Sequence, residues 1–291
     1  GIIVDEEDRY FPYRATFDFE SYFDSSDLPQ ATKKVQWKAK HMPLSVSISS
    51  NIPGYTEPRC LISTGDPEAL VRDMLEMLEE MSLQSYTLLL EKFGPVLSEI
   101  QETAQEFTLK EESSEQKQPL FLLLEKLDGY LKQLPVIGYN NGRYDLNVIK
   151  KYLFPQLEDI KFIVKKNNDL MCVATPTLKF LDMCNYLSPG VSYEKYLKAY
   201  GCSAQKGFFP YEWIDDLAKL NTDHLPEQDK FFSMLKNEGI ADEDYKNLQG
   251  IWEEKKMSTV RDLLIWYNNL DVQPFLEAIE KQVSFYQERR I

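Results

Sequence analysis

The side chains of this chain best suited to chemistry are carboxylates set among apolar residues. Asp18 and Glu20 lie within Ala-Thr-Phe-Asp-Phe-Glu-Ser-Tyr-Phe, a run over 15–23 that alternates with period two. On a strand, residues two apart share a face, so both carboxylates project together while Phe17 and Phe19 pack behind. Two like charges side by side in an apolar setting are costly unless a cation neutralises them, and hard divalent cations take oxygen ligands. The pair is therefore half of a candidate metal site. The same D-x-E spacing recurs at Asp5/Glu7 and Asp66/Glu68, but only Asp18/Glu20 sits inside an aromatic strand. Asp145 follows the apolar run Val136 to Tyr139 and the turn Asn140-Asn141-Gly142. Such strand-to-helix junctions are where α/β proteins place functional groups, although Asp145 equally suits the N-cap of a helix starting at Leu146. Tyr267 and Asp271 are four apart and share one face of a helix. A tyrosine hydroxyl one turn from a metal-bound carboxylate can orient a water for attack on phosphorus. Tyr211 and Asp215 have the same spacing, and spacing alone does not separate the two pairs.

These groups need a sheet and helices to bring them together. Strands are expected at 15–23, at 43–50, where Leu44, Val46 and Ile48 alternate with serines, and near 59–64. Asp66-Pro67-Glu68 is a helix start with an N-cap, a first-turn proline and an early acid. The helix it opens carries Leu70, Met74, Leu78 and Met81 on one side. Helix is expected to continue to about 134, broken by a polar surface loop from Lys110 to Gln118. A short buried strand at 135–139 and a helix over about 145–153 follow, then two or three strands within 160–183 with a turn at Asn167-Asn168. Helices are expected to dominate from Ser192, the last running from about 259 with Pro274 as a kink or break. The pattern implies a single α/β domain over 1–291: a mixed β-sheet flanked by helices, with a helical insertion over about 67–134.

Composition narrows the class. Hydrophobic residues make up 43% and aromatics 13%, which is globular rather than disordered. No apolar run approaches membrane-spanning length, so no membrane partner is expected. Cys60, Cys172, Cys184 and Cys202 form no C-x-x-C pair and read as reduced thiols of an intracellular protein. The net charge of −14 has the wrong sign for passive nucleic-acid binding through counterion release. It is compatible with nucleic acid if carboxylates hold cations and basic residues cluster locally. Residues 143–166 run that way, with Arg143, Lys150, Lys151, Lys161, Lys165 and Lys166 against Asp145, Glu158 and Asp159.

Taken in order, D-x-E on the first strand, N-x-x-Y-D at a strand–helix junction and Y-x-x-x-D on a late helix resemble the exonuclease motifs of the DEDD superfamily, tyrosine subclass. The histidine subclass would need histidine where Trp266 stands. Asp-Phe-Glu-Ser (18–21), Tyr-Asn-Asn-Gly-Arg-Tyr-Asp (139–145), Lys-Gly-Phe-Phe-Pro-Tyr-Glu-Trp (206–213) and Tyr-Asn-Asn-Leu-Asp-Val (267–272) are similar to the 3′→5′ exonuclease domain of protein-primed family B DNA polymerases. The resemblance covers about residues 12–285 and implies a ribonuclease H-like fold. It implies two divalent ions, Mg²⁺ or Mn²⁺, with Asp18, Glu20 and Asp271 at one and Asp18 and Asp145 at the other. It implies that Tyr267 and Glu20 position the attacking water and that Lys206 assists near the scissile phosphate, unless it is an ordinary exposed lysine. Ser21, Asn141 and Tyr144 match positions that contact a single-stranded DNA 3′ end. The implied partner is the polymerase domain of a longer polypeptide. Met183-Cys184 departs from the family's Ser-Leu, a further strand contact. Two alternatives stay open: a silent exonuclease-fold domain serving as a strand-binding or assembly platform, and a stand-alone exonuclease acting on RNA.

Overall fold

The computed structural model describes residues 10–24, 41–109, 114–139, 148–166, 169–188 and 190–289. Seven strands form one mixed sheet: β1 (Ala15–Phe23), β2 (His41–Ser50), β3 (Arg59–Ile62), β4 (Leu134–Gly138), β5 (Phe162–Lys166), β6 (Asp169–Ala174) and β7 (Leu178–Asp182), in the order β3-β2-β1-β4-β7-β6-β5. β1 runs antiparallel to β2 and parallel to β4, and β4 runs parallel to β7. The outer pairs β2/β3, β7/β6 and β6/β5 are antiparallel.

The two faces of β1 and β2 have opposite chemistry because cross-strand partners share a face. Phe17 pairs with Ile48 and Phe19 with Val46, and all four are buried under the long helix α1 (Pro67–Leu109). Asp66 caps α1 as its sequence requires, its Oδ1 accepting from the backbone N–H of Glu68 (3.0 Å) and Ala69 (3.3 Å). Leu70, Met74, Leu78 and Met81 then meet the sheet at the spacing of one helical stripe. A second helix, α2 (Ser114–Lys132), packs against α1, with the Tyr86 hydroxyl donating to Asp128. The helices expected over about 67–134 thus stand where their pattern put them. The polar break is shorter than expected, however: helix resumes at Ser114, and Lys110–Ser113 lie outside the described residues.

On the other face lie Thr16, Asp18 and Glu20, paired in register with Ser49, Ser47 and Ser45. This polar face is covered by α5 (Val260–Asn269) and α6 (Gln273–Glu288). Where helix is expected over about 145–153, the described residues hold a π-helical turn at Ile149–Leu153 that runs into a 3₁₀ turn at Phe154–Gln156. Two further α-helices are α3 (Tyr193–Ala199) and α4 (Asp242–Glu254). Helix does not dominate the stretch between them. From 201 to 241 the chain runs in turns, two 3₁₀ turns and an isolated bridge between Ser233 and Glu238, because Gly207, Pro210, Pro226 and Gly239 punctuate it and its apolar residues follow no helical period. Among the described residues, no helix is long and apolar enough to cross a membrane.

Candidate metal centre

Asp18 and Glu20 project from β1 toward the α5–α6 junction, where Asp271 waits. One carboxylate oxygen from each of the three lies within 4.8 Å of the others. Asp271 is not on the helix that its four-residue spacing from Tyr267 suggested. α5 ends at Asn269, and Leu270–Val272 form a tight turn before Pro274 opens α6. Proline has no N–H to continue the ladder, and the break places Asp271 at the corner facing β1. The Tyr193 hydroxyl fixes that corner by donating to the Asp271 carbonyl at 2.7 Å, and the Thr16 hydroxyl donates to the Val272 carbonyl at 2.9 Å.

A fully buried carboxamide organises the centre. Asn268 Nδ2 donates to the Asp18 carbonyl (3.1 Å) and to Asp18 Oδ2 (3.2 Å), while its Oδ1 accepts from the Ser45 hydroxyl at 2.6 Å. The Ser47 hydroxyl donates to Asn269 Oδ1 at 2.7 Å. The serines that alternate along β2 are therefore anchors for α5, not merely its polar side. Nothing in the spacing marked Asn268, although an asparagine one turn beyond Leu264 on a buried helical stripe was the available signal.

Glu20 is buried and accepts a hydrogen bond from the Tyr211 hydroxyl. The Tyr211 ring meets Tyr267 edge-on, with centroids 5.5 Å apart. Tyr211 is thus part of the site, whereas Asp215, its partner by spacing, pairs with Lys219 at 2.8 Å instead. Burial, then the charge of Glu20, pushes both phenols far above their ordinary values, so each keeps its proton as a donor. Burial likewise pushes the Asp271 carboxyl up to about 6, against hydrogen bonds with Asp18 and Glu20 that lower it. Gly207 lets the 206–213 segment lie on α5: a Cβ there would fall 2.5 Å from Leu270 Cδ1 and 3.0 Å from the Tyr267 ring.

The chain matches no protein-family model, no curated protein and no solved structure. What the centre can do therefore rests on its own geometry. Three carboxylate oxygens within one ion's reach, half-buried or buried together, form an oxygen-only donor set that fits a hard divalent cation, and a cation there would relieve the repulsion among them. Two cavities flank the cluster. One of about 210 Å³ is lined by Asp18, Asp271, Tyr139 and Tyr193 among others, and one of about 450 Å³ by Glu20, Ser21 and Tyr267 together with the 207–212 and 231–239 segments. Ser21 reaches the larger one just after a register shift that skips Leu44, a bulge that re-aims side chains at the strand end. Lys206 carries its ammonium 3.6 Å from Asp244 on α4 and 5.4 Å from the centroid of the Phe208 ring. Asp145, Asn141 and Tyr144 lie outside the described residues. At Met183-Cys184, Met183 is buried, and Asp182 Oδ1 accepts from the Cys184 N–H at 3.0 Å.

Proposed function

We propose that this chain is a metal-dependent 3′→5′ exonuclease domain of ribonuclease H-like fold, the proofreading module of a protein-primed family B DNA polymerase, removing nucleotides from single-stranded DNA 3′ ends. The observation that carries the reading is the convergence of Asp18 and Glu20 with Asp271, residues from opposite ends of the chain that the motif resemblance also groups. The mixed seven-strand sheet with helices on both faces is compatible with it. Asp18, Glu20 and Asp271 would hold one divalent ion, Mg²⁺ or Mn²⁺, and Asp18 with Asp145 a second; when bound, such ions polarise the phosphodiester and acidify water.

The remaining work falls to the chain's own residues. Tyr211 donates to Glu20, which fixes the carboxylate that would accept from the attacking water. Tyr267, kept protonated by burial, hydrogen-bonds Tyr211 on the same side. Between them they orient a water toward phosphorus, and the bond to the 3′ oxygen of the preceding nucleotide breaks as the new P–O bond forms. Asn268 would steady the Asp18 carboxylate by donating to its Oδ2. Ser21, with Asn141 and Tyr144, contacts the strand, and Lys206 approaches the phosphate only after leaving Asp244.

The test is digestion of 5′-labelled single-stranded DNA with Mg²⁺ or Mn²⁺ and with EDTA, beside the Asp18→Ala/Glu20→Ala double variant. A metal-dependent ladder shortening from the 3′ end, absent in the variant, is expected. The charge of −14 favours a second reading, a silent domain of the same fold serving as an assembly platform. Absence of cleavage on both DNA and RNA would decide for it, and cleavage of RNA alone would make the chain a ribonuclease.

A further inference from the structure

The larger cavity has a wall that the catalytic reading leaves unused. The turn closed by Ser233 and Glu238, whose backbones exchange hydrogen bonds of 2.8 and 3.1 Å, exposes Phe232 (45%), Met234 (56%) and Leu235 (37%) to solvent. Exposed apolar side chains on a loop are usually accompanied by a loose backbone, but this one is tied down. The Glu212 carboxylate accepts from the Ser233 hydroxyl (2.9 Å) and from the N–H groups of Met234 (2.8 Å) and Leu235 (3.2 Å), and Lys236 N–H donates to the Ser233 hydroxyl at 3.2 Å. Asn237 supplies a left-handed residue at φ 49° to close the turn. A carboxylate from the 206–213 segment is thus spent on holding apolar side chains in the open beside Glu20.

We infer that this cleft is the subsite for the nucleotides just upstream of the 3′ terminus, with Phe232 and Phe208 as stacking surfaces and Lys236 and Lys206 as phosphate contacts. The inference rests on the exonuclease reading. Its floor is Glu20, Ser21 and Tyr267, so whatever fills it lies against the reacting centre; a protein seated there would shut the substrate out, whereas a strand would be delivered. A volume of about 450 Å³ is within the usual range of ligand sites, about 300–1,000 Å³. Aromatic faces with flanking ammonium groups are the combination that binds single strands irrespective of sequence. Lys236 lines the cleft, and Lys206 stands over the Phe208 ring at its rim. Glu238 and Glu20 also line it and Asp244 lies 3.6 Å from the Lys206 ammonium, so the two cations meet three carboxylates besides the occupied Glu212.

The experiment compares the wild-type chain with Phe232→Ala and Lys236→Ala in Mn²⁺ on two substrates. One is a 5′-labelled oligothymidylate; the other is the 5′-p-nitrophenyl ester of thymidine monophosphate, which has no upstream nucleotide. Each variant is expected to lose about tenfold more kcat/KM on the oligonucleotide than on the ester, through KM, with an unaltered melting temperature. Equal losses on both substrates, or no loss on either, overturn the subsite and leave the exonuclease standing. A wild-type chain that cleaves neither substrate overturns both.

Discussion

Asn268 joins four elements through one carboxamide, linking α5 to Asp18 on β1, Ser45 on β2 and, at 3.8 Å, the Cys60 thiol on β3. Asn268→Leu keeps the volume roughly but removes the partner of the fully buried Ser45 hydroxyl, a loss that costs about 1–3 kcal/mol, and one bond to the half-buried Asp18 carbonyl. A lowered denaturation midpoint is expected, and Ser45→Ala added to it should restore part of the loss, because the stranded hydroxyl is gone. If the double variant is no more stable than Asn268→Leu alone, the Ser45 bond is not an anchor. The carboxylates themselves make the opposite prediction for stability. Three acids crowded without a cation repel one another, so Asp18→Asn should raise the melting temperature in EDTA while abolishing the rise that Mn²⁺ gives the wild type. The same substitution should slow hydrolysis on the order of 10³-fold, or about 4 kcal/mol in the barrier. A variant that still gains stability from Mn²⁺ would place the ion elsewhere.

At the scale of elements, what could be read depended on how regular the local pattern was. β1, β2 and the start of α1 were legible because alternation and capping are short-range codes, and the D-x-E pair came with its strand. Asp271 was legible as a residue but not as a place: helical spacing put it on α5, whereas Pro274 ends the ladder early and the α5–α6 corner presents it. Tyr211 was hidden because its partner Glu20 is distant in sequence, and only Gly207 lets its segment close on Tyr267. Gly138 shows the same dependence on close approach at the other side of β1. A Cβ there would sit 2.7 Å from Phe17 Cζ, and Phe17 is buried among the α1 side chains with nowhere to move. Gly138→Ala should therefore destabilise the fold by about 1–3 kcal/mol through overpacking, measured by urea melts. Because Phe17 precedes Asp18, the affinity for Mn²⁺ should fall as well. Unchanged stability would mean that β4 can withdraw from β1 without cost.

The whole molecule sets the terms on which any strand approaches. At −14 the chain and a polynucleotide repel each other at long range, and the apolar and cationic contacts of the cleft act only once the strand has arrived. The sequence pointed to 143–166 as a basic path; of its lysines, Lys150, Lys151, Lys161 and Lys165 are exposed, whereas Arg143 lies outside the described residues. Lys206, which the motif resemblance already named, and Lys236, recognisable only once the 231–239 turn is seen beside Glu20, are a different and smaller set, separated from that stretch in sequence. The two alternatives differ in salt dependence. Single strands release about 0.7 counterion for each phosphate neutralised, so two lysines give a slope near about −1.4 in log K against log salt. A path using the four exposed lysines as well would roughly triple it, to about −4. Fluorescence anisotropy of labelled oligothymidylate in EDTA, where cleavage is blocked, should give the shallow slope, and stopped flow should show association speeding up as salt screens the repulsion. Lys150→Glu/Lys151→Glu should then leave the slope unchanged, while Lys236→Glu flattens it further. A slope near −4 that the Lys150→Glu/Lys151→Glu variant reduces would move the strand onto the 143–166 face.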